Sequence, residues 1–393
     1  MKLLKEAHYS EYQTYPEIQT RAPGRFHLMG EHSWFFNDKT MSMAVDLPVF
    51  VGISKRDASV LKFYFVQENE HKKAALTSVK YKKEDRWANA LKSVVYGFTS
   101  GGYGLGGFDL TVYSEVLPSA GFGITTAIKV AAAIAIKKLF SLRCSDAQLL
   151  QVLERGNRQF LQTENHIADN YSCLFAKKGN LLITDHQKNS WDYIPFSFKD
   201  KRILIVDTHV PRFSVWNENV LFEPENALVL GDLKETKVNA YGGWHYITNV
   251  TDVNEGLSTV SELTKHRLLS VMREHNDLQD AIDGLNKNDF FKFARSVNHR
   301  HESMRDYYEI SCPEIDWILK RVHEIDPRLD LRTNPVSCGR ITGKGFGRCL
   351  YAVLRESDVE KFRTKLEEFE KIFSFKCDVY DVTPTNGAGV VND

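Results

Sequence analysis

At 393 residues, with 42% hydrophobic and 26% charged side chains, the chain has the composition of a soluble globular protein with room for two ordinary domains. Its 51 basic residues balance 51 acidic ones, so no net positive field points to nucleic acid or to an anionic membrane surface. Six cysteines without a C-x-x-C pair suit free thiols in a reducing cytoplasm, and thirteen histidines lack the clustered carboxylates or thiols of a protein-held zinc.

The N-terminal stretch M-K-L-L-K-E-A-H lacks the apolar core of a signal peptide, which adds to the expectation of a cytoplasmic protein. Residues 1–20 are polar and rich in Tyr, and read as an arm laid on the surface. From Arg21 to His32, a turn at Pro23-Gly24 is expected to feed a short strand that breaks at Gly30. Residues 43–55 alternate and are rich in Val and Ile, a strand pattern, with 61–67 as the hairpin partner. Helical spacing marks 86–95. The glycines of 101–107 predict a loop, and 108–113 a strand.

The most informative stretch is 116–138. Small residues Ser119, Ala120, Gly121 and Gly123 let backbone N–H groups approach a ligand closely, with Phe122 and Ile124 between and after them. Thr125 and Thr126 are placed to cap a helix over about 126–140, whose unpaired N–H groups and positive dipole end make a phosphate site. An ordinary loop capping a buried helix accounts for this stretch equally well. Its apolar run, 130–136, is far short of the roughly 20 residues a membrane span needs.

Ser145 and Asp146 then open a further helix. Segments 165–175 and 181–184 flank a Lys-Lys-Gly-Asn turn, and 202–207 reads as an apolar strand. The second half is more helical, over 260–275, 278–286, 289–306, 314–325 and 358–372, with a glycine-rich hairpin at 339–349 carrying Lys344 at its tip. The two halves change character near 190–205.

Three groupings carry chemical potential. Arg25, Glu31 and His32 place a cation and two polar groups along one strand end, suited to a hydroxylated substrate. Asp169 lies in Ala-Asp-Asn at a helix start, where an Asp is more often an N-cap than a catalyst. The 343–347 hairpin is either a tight turn or a phosphate neighbour. Singly, each is weak.

Their order and surroundings are specific. Residues 25–32 resemble the galactokinase motif G-R-V-N-L-I-G-E-H-T-D-Y-N, and Trp87-Ala88-Asn89 sits in a stretch like theirs. Residues 116–131 lie where their phosphate loop lies, and Ala168-Asp169-Asn170 matches their M-D-Q. The run 303–314 and G-R-I-T-G-K-G-F-G-R-C at 339–349 match further family wording. Over about residues 20–390 the chain is identified as a galactokinase-like member of the GHMP kinase superfamily.

The resemblance implies an α+β fold: an N-terminal domain like domain 2 of ribosomal protein S5, over 1–200, and a ferredoxin-like C-terminal domain, over 201–393, with the site between them. It implies phosphorylation of the anomeric hydroxyl of galactose or a related sugar, with ATP as co-substrate and Mg2+. Arg25 and Asp169 carry over as the catalytic pair, and Glu31 and His32 as sugar contacts. Trp87 carries over as part of the adenine pocket, and 119–126 as the phosphate cradle. The implied partners are a small sugar and ATP, with no nucleic acid and no membrane; oligomeric state stays open, a monomer among the readings.

Departures fall at the site. Thr125 stands where a magnesium-binding Ser is expected, and Asn157 where the family has a magnesium-binding Glu, twelve residues before Asp169. Lys129 replaces a frequent Glu, and Lys344 adds a cation to the third motif. Trp34 stands in place of an Asp that grips ring hydroxyls, His166 in place of a Gly, and a family Tyr falls near Asn219. These changes keep two other readings open: a catalytically weakened sugar and ATP sensor acting through a partner, and a kinase for a polyol or modified sugar.

Overall fold

The structure, a computed structural model, describes residues 2–32, 38–116, 121–163, 166–211, 262–326, 334–343 and 347–391. It divides into two compact units: Met1–Phe26, Ser42–Leu182 and Pro384–Asp393 form the first, and His27–Met41 with Ile183–Thr383 the second.

The chain opens with a helix, α1 (Lys2–Tyr12), where a surface arm was expected. Only Leu4 and His8 of it are buried, too sparse a stripe to mark a helix in the sequence. Strand β1 (Ile18–Met29) follows and runs straight through Pro23-Gly24, so the expected turn does not form. The fixed φ of proline suits extended backbone, and a Cβ on Gly24 would stand 3.1 Å from the Leu47 carbonyl oxygen, so glycine here serves close packing. Next come β2 (Lys39–Arg56), β3 (Val60–Phe65), β4 (Glu70–Ala75), α2 (Ala88–Ser100), β5 (Gly107–Ser114) and α3 (Ile124–Leu139). Then α4 (Asp146–Arg155), one π-helical stretch (Gly156–Leu161), α5 (Ile167–Phe175), β6 (Asn180–Asp185), β7 (Ser190–Pro195) and β8 (Lys201–Asp207) follow.

The remaining elements are α6 (Glu262–Asn286), α7 (Phe290–Asp306), α8 (Pro313–His323), β9 (Cys338–Ile341), β10 (Cys349–Arg355), α9 (Val359–Phe373), β11 (Asp378–Val382) and β12 (Gly389–Val390). Helix α6 is continuous where a break near 276 was expected: neither Gly nor Pro stands near that point, the helix's one glycine being Gly284, and Glu274 and Asp277 are buried.

In the first unit the strands pair in the order β12-β1-β2-β5-β3-β4. The expected partner of β2 is displaced: β2 pairs antiparallel with β5, and β3 lies parallel to β5 on its far side. Cross-strand neighbours on β2 and β5 sort the faces by their period of two. Ser54 and Thr111 point to one face and hold the His8 ring of α1 through Nε2 and Nδ1, each at 2.9 Å. Phe108 points to the other, its ring 6.1 Å from Phe63 and 6.3 Å from Phe140 at the end of α3. Thr20 Oγ1 of β1 donates to the Ala131 carbonyl of α3 at 2.9 Å. Helix α3 is alanine-rich and buried nearly all round, which places it against the sheet.

In the second unit an antiparallel sheet of order β11-β8-β10-β9 carries the core. Leu204, Val206, Leu350, Ala352 and Leu354 meet Ile315, Ile318, Leu319 and Val322 of α8 and Phe362, Leu366 and Phe369 of α9. Each large side chain buried this way contributes about 1.5–3 kcal/mol. A Cβ on Gly339 would meet the Tyr351 carbonyl oxygen at 2.6 Å and Leu319 at 2.9 Å, so glycine here sets how closely α8 lies on the sheet.

Candidate active site

The first unit gathers its functional candidates where β1, the turn before α3 and the start of α5 converge. The backbone N–H of Arg25 donates to the Phe122 carbonyl at 2.8 Å, which fastens the turn to the strand. The Arg25 guanidinium donates from Nη1 to the Gly121 carbonyl at 2.8 Å and from Nη2 to Asp169 Oδ2 at 2.6 Å. The Arg25 and Asp169 side chains, 144 positions apart in sequence, are 15% and 11% exposed, so solvent screens the pair only in part. Asp169 lies in the first turn of α5, where the helix dipole favours a negative charge.

Gly123, not a threonine, is the N-cap of α3; it sits at φ 69° and no side chain caps this helix. Thr125 and Thr126 are helical residues instead, Thr125 exposed and Thr126 buried. The left-handed backbone and the guanidinium together explain the glycine: a Cβ on Gly123 would come within 2.8 Å of Arg25 Cζ. Ile124 begins the helix and Phe122 is buried beneath the turn.

One turn further along α3, Lys129 is buried and donates from Nζ to Asn157 Oδ1 at 2.5 Å. Burial pulls its ammonium down to about 8, while the charge of Asp169 works the other way. Three residues that the sequence separates, Arg25, Lys129 and Asp169, thus leave one net positive charge under the turn.

The second unit holds Glu31 and His32 directly after β1. Gly30, at φ 88°, turns the chain there; its N–H donates to Glu274 Oε1 at 3.0 Å, and its carbonyl accepts from Thr40 Oγ1 at 3.0 Å. Glu31 Oε1 pairs with the fully buried Arg340, whose Nε donates to the Leu28 carbonyl at 2.6 Å. Tyr351 Oη donates to the same carbonyl at 2.8 Å. Arg300 Nε stands 2.9 Å from Glu274 Oε1 and is also completely buried. Burial alone would raise the Glu31 carboxyl, but the Arg340 guanidinium, with His32 and His27, brings it down to about 2. Burial takes His32 down to about 3, so its ring is neutral; it lies 5.0 Å from the Tyr308 ring. Glu31 Oε2 and His32 Nε2 are buried with no hydrogen-bond partner among the described residues.

Glu274, Arg300 and Arg340 escaped the sequence reading. Only the pattern C-G-R-I, a charge inside an apolar strand, hinted at Arg340. Trp87, at the N-cap of α2, donates from Nε1 to Glu70 Oε2 at 2.8 Å and meets Phe65 edge-on at 5.2 Å. His166 is the N-cap residue of α5 and makes no side-chain cap. Trp34, Ser119, Ala120, Lys344 and Asn219 lie outside the described residues.

A helix-backed glycine turn beside an Arg–Asp pair, in an α+β chain of two units, is the arrangement of a GHMP kinase. Residues 88–177 match the model of the GHMP kinases N terminal domain, and residues 6–55 the galactokinase galactose-binding signature. A Treponema pallidum protein described as "Putative galactokinase" is 37% identical over 401 residues, covering 100% of this chain and 97% of that one. The Pyrococcus furiosus galactokinase is 25% identical over 381 residues, covering 95% and 99%. The Lactococcus lactis galactokinase structure, complexed with galactose, superposes with a TM-score of 0.87 at 18% identity and 99% coverage of both chains. The chain belongs to the galactokinase family. It is a sugar kinase with the two-domain α+β GHMP fold and ATP as co-substrate, and neither a sensor nor a polyol kinase is favoured. Among the described residues, no helix is long and apolar enough to cross a membrane.

Proposed function

We propose that this chain transfers the terminal phosphoryl group of ATP to the anomeric hydroxyl of galactose. The observation that carries the reading is the Arg25–Asp169 pair, 2.6 Å apart beside the Gly121–Gly123 turn. Phosphoryl transfer asks mainly for alignment and charge neutralisation. In this reading Asp169 Oδ1 or Oδ2 takes a hydrogen bond from the attacking hydroxyl and orients it. Arg25 keeps that carboxylate ionised and offsets charge on the moving phosphoryl group. Because a paired carboxylate is a weaker base, orientation outweighs proton abstraction.

The phosphates rest on backbone N–H groups of Ser119, Ala120, Gly121, Phe122, Gly123 and Ile124 and on the hydroxyls of Thr125 and Thr126. Lys344 adds a charge to the nucleotide side, and Trp87 flanks the adenine. The open polar atoms of Glu31 and His32 suit ring hydroxyls, which an ionised carboxylate and a neutral imidazole accept or donate to. Trp34 and His166 complete the sugar contacts and are where the choice among hexoses is set.

A protein-held magnesium does not fit. Asn157 Oδ1, the atom at the family's metal-ligand position, already accepts from the Lys129 ammonium. No group of three or more His, Cys, Asp or Glu side chains could hold a metal among the described residues. Thr125 and Thr126 offer only neutral hydroxyls. Magnesium then enters as part of the MgATP substrate, held by the phosphates.

A coupled assay of ADP release across a panel of sugars tests the acceptor, with galactose expected to give the highest kcat/KM; a clear preference for another sugar would sink it. Asp169→Ala is expected to lose turnover by about 10²-fold or more while its circular dichroism stays that of the parent. Near-parental rates in that folded variant would remove Asp169 from the mechanism.

A further inference from the structure

We infer that Lys129 is a positioning residue for phosphoryl transfer, its buried ammonium standing in for a divalent cation that the protein itself would otherwise hold. The inference rests on the kinase reading above. Lys129 Nζ and Asn157 Oδ1 are 2.5 Å apart, and both residues are buried, at 6% and 3% exposure. A second cation on that amide oxygen would place like charges about one hydrogen-bond length apart in a buried medium where they are poorly screened. The oxygen is therefore committed to the ammonium. Lys129 also interacts electrostatically with both Asp169 and Arg25. It attracts the Asp169 carboxylate and, with Arg25, keeps the ground beneath the Gly121–Gly123 turn positive. Lys129 touches neither phosphate nor sugar in this account; it acts through Asn157 and Asp169.

Two measurements test it. In the first, Lys129→Met, close to isosteric and without the charge, is compared with the parent for Tm, kcat and both KM values. The expected result is a kcat about tenfold or more lower, with the two KM values and Tm nearly unchanged. A purely structural lysine would move Tm and leave kcat alone, and that outcome overturns the inference. In the second, Mn2+ is titrated by electron paramagnetic resonance into the protein with a non-hydrolysable ATP analogue. The parent is expected to bind Mn2+ no more tightly than the free analogue does. The Lys129→Met/Asn157→Glu double variant is expected to bind it about tenfold tighter, having gained a carboxylate ligand and lost a repelling charge. Parent protein that matches or exceeds the double variant in Mn2+ affinity refutes the stand-in. This second arm needs no turnover, so it holds even if the parent fails to phosphorylate any sugar, a result that would count against the kinase reading and not against Lys129.

Discussion

Four ionisable side chains of the second unit, Glu31, Glu274, Arg300 and Arg340, are removed from water, and their pairing decides what each can do. A buried charge without a partner is costly, whereas a paired one is tolerated. Arg340 occupies one oxygen of Glu31 and leaves the other open, so the guanidinium both pays the desolvation of the carboxylate and aims it. Glu31→Gln removes the charge and keeps the shape. Its KM for galactose is expected to rise about tenfold or more, as for loss of a hydrogen bond to a charged group, and Tm to fall because Arg340 loses its partner. An unchanged KM for the sugar in calorimetry and kinetics would take Glu31 out of the sugar site. Glu31 was legible in the sequence because it sits in a compact motif. Arg340, Arg300 and Glu274 were not, because in the chain they stand as far apart as 66 positions and look like ordinary surface charges. Only the packing of α6, α7 and β9 reveals that they share one interior.

Among the elements, the turn into α3 is the most constrained. Its sequence announced small residues and a helix start, and both are found, but the device is a left-handed Gly123 pressed against the Arg25 guanidinium and not a threonine cap. Capping threonines and helical threonines look alike in a sequence; the deciding contact comes from β1, a hundred positions away. Gly123→Ala is expected to cost about 1–3 kcal/mol of stability and to lower kcat by moving Arg25, read by chemical denaturation and by assay. A variant as stable and as active as the parent would show that the turn relaxes without disturbing the guanidinium. Elements with local signatures were read well, as at α4, where Ser145 and Gln148 complete a reciprocal capping box. Misreadings came where the partner was remote. Strand β3 has a hairpin-like spacing from β2, yet β5 inserts between them, and that parallel β3–β5 pairing has no local trace.

For the molecule as a whole, the buried His8 and His32 and the half-buried His323 predict acid sensitivity. Burial takes His8 down to about 4, against the pull of Asp109; His32 to about 3, against Glu31 and with Arg300, Arg340 and His27 assisting; and His323 to about 4, with His301 and Arg305 assisting. Their folded values lie below the unfolded one near 6.5, so their contribution is intact above about pH 6.5. It is lost as the pH falls toward about 4, because the unfolded chain takes up protons first, at about 1.4 kcal/mol per histidine and pH unit. Melting curves from pH 7.5 to 4.5 are expected to show a steep fall in Tm, less steep in His8→Gln; a flat profile would mean that these rings are charged in the folded state. A last consequence follows from the returning tail. Val390 and Gly389 pair with Thr20 and Arg21, while the N–H groups of Gly387 and Ala388 bond the Ala176 and Cys173 carbonyls. A ribosome delivering this polypeptide in order therefore leaves the outer edge of β1, at Thr20 and Arg21, without its partner strand until some 370 further residues have been joined.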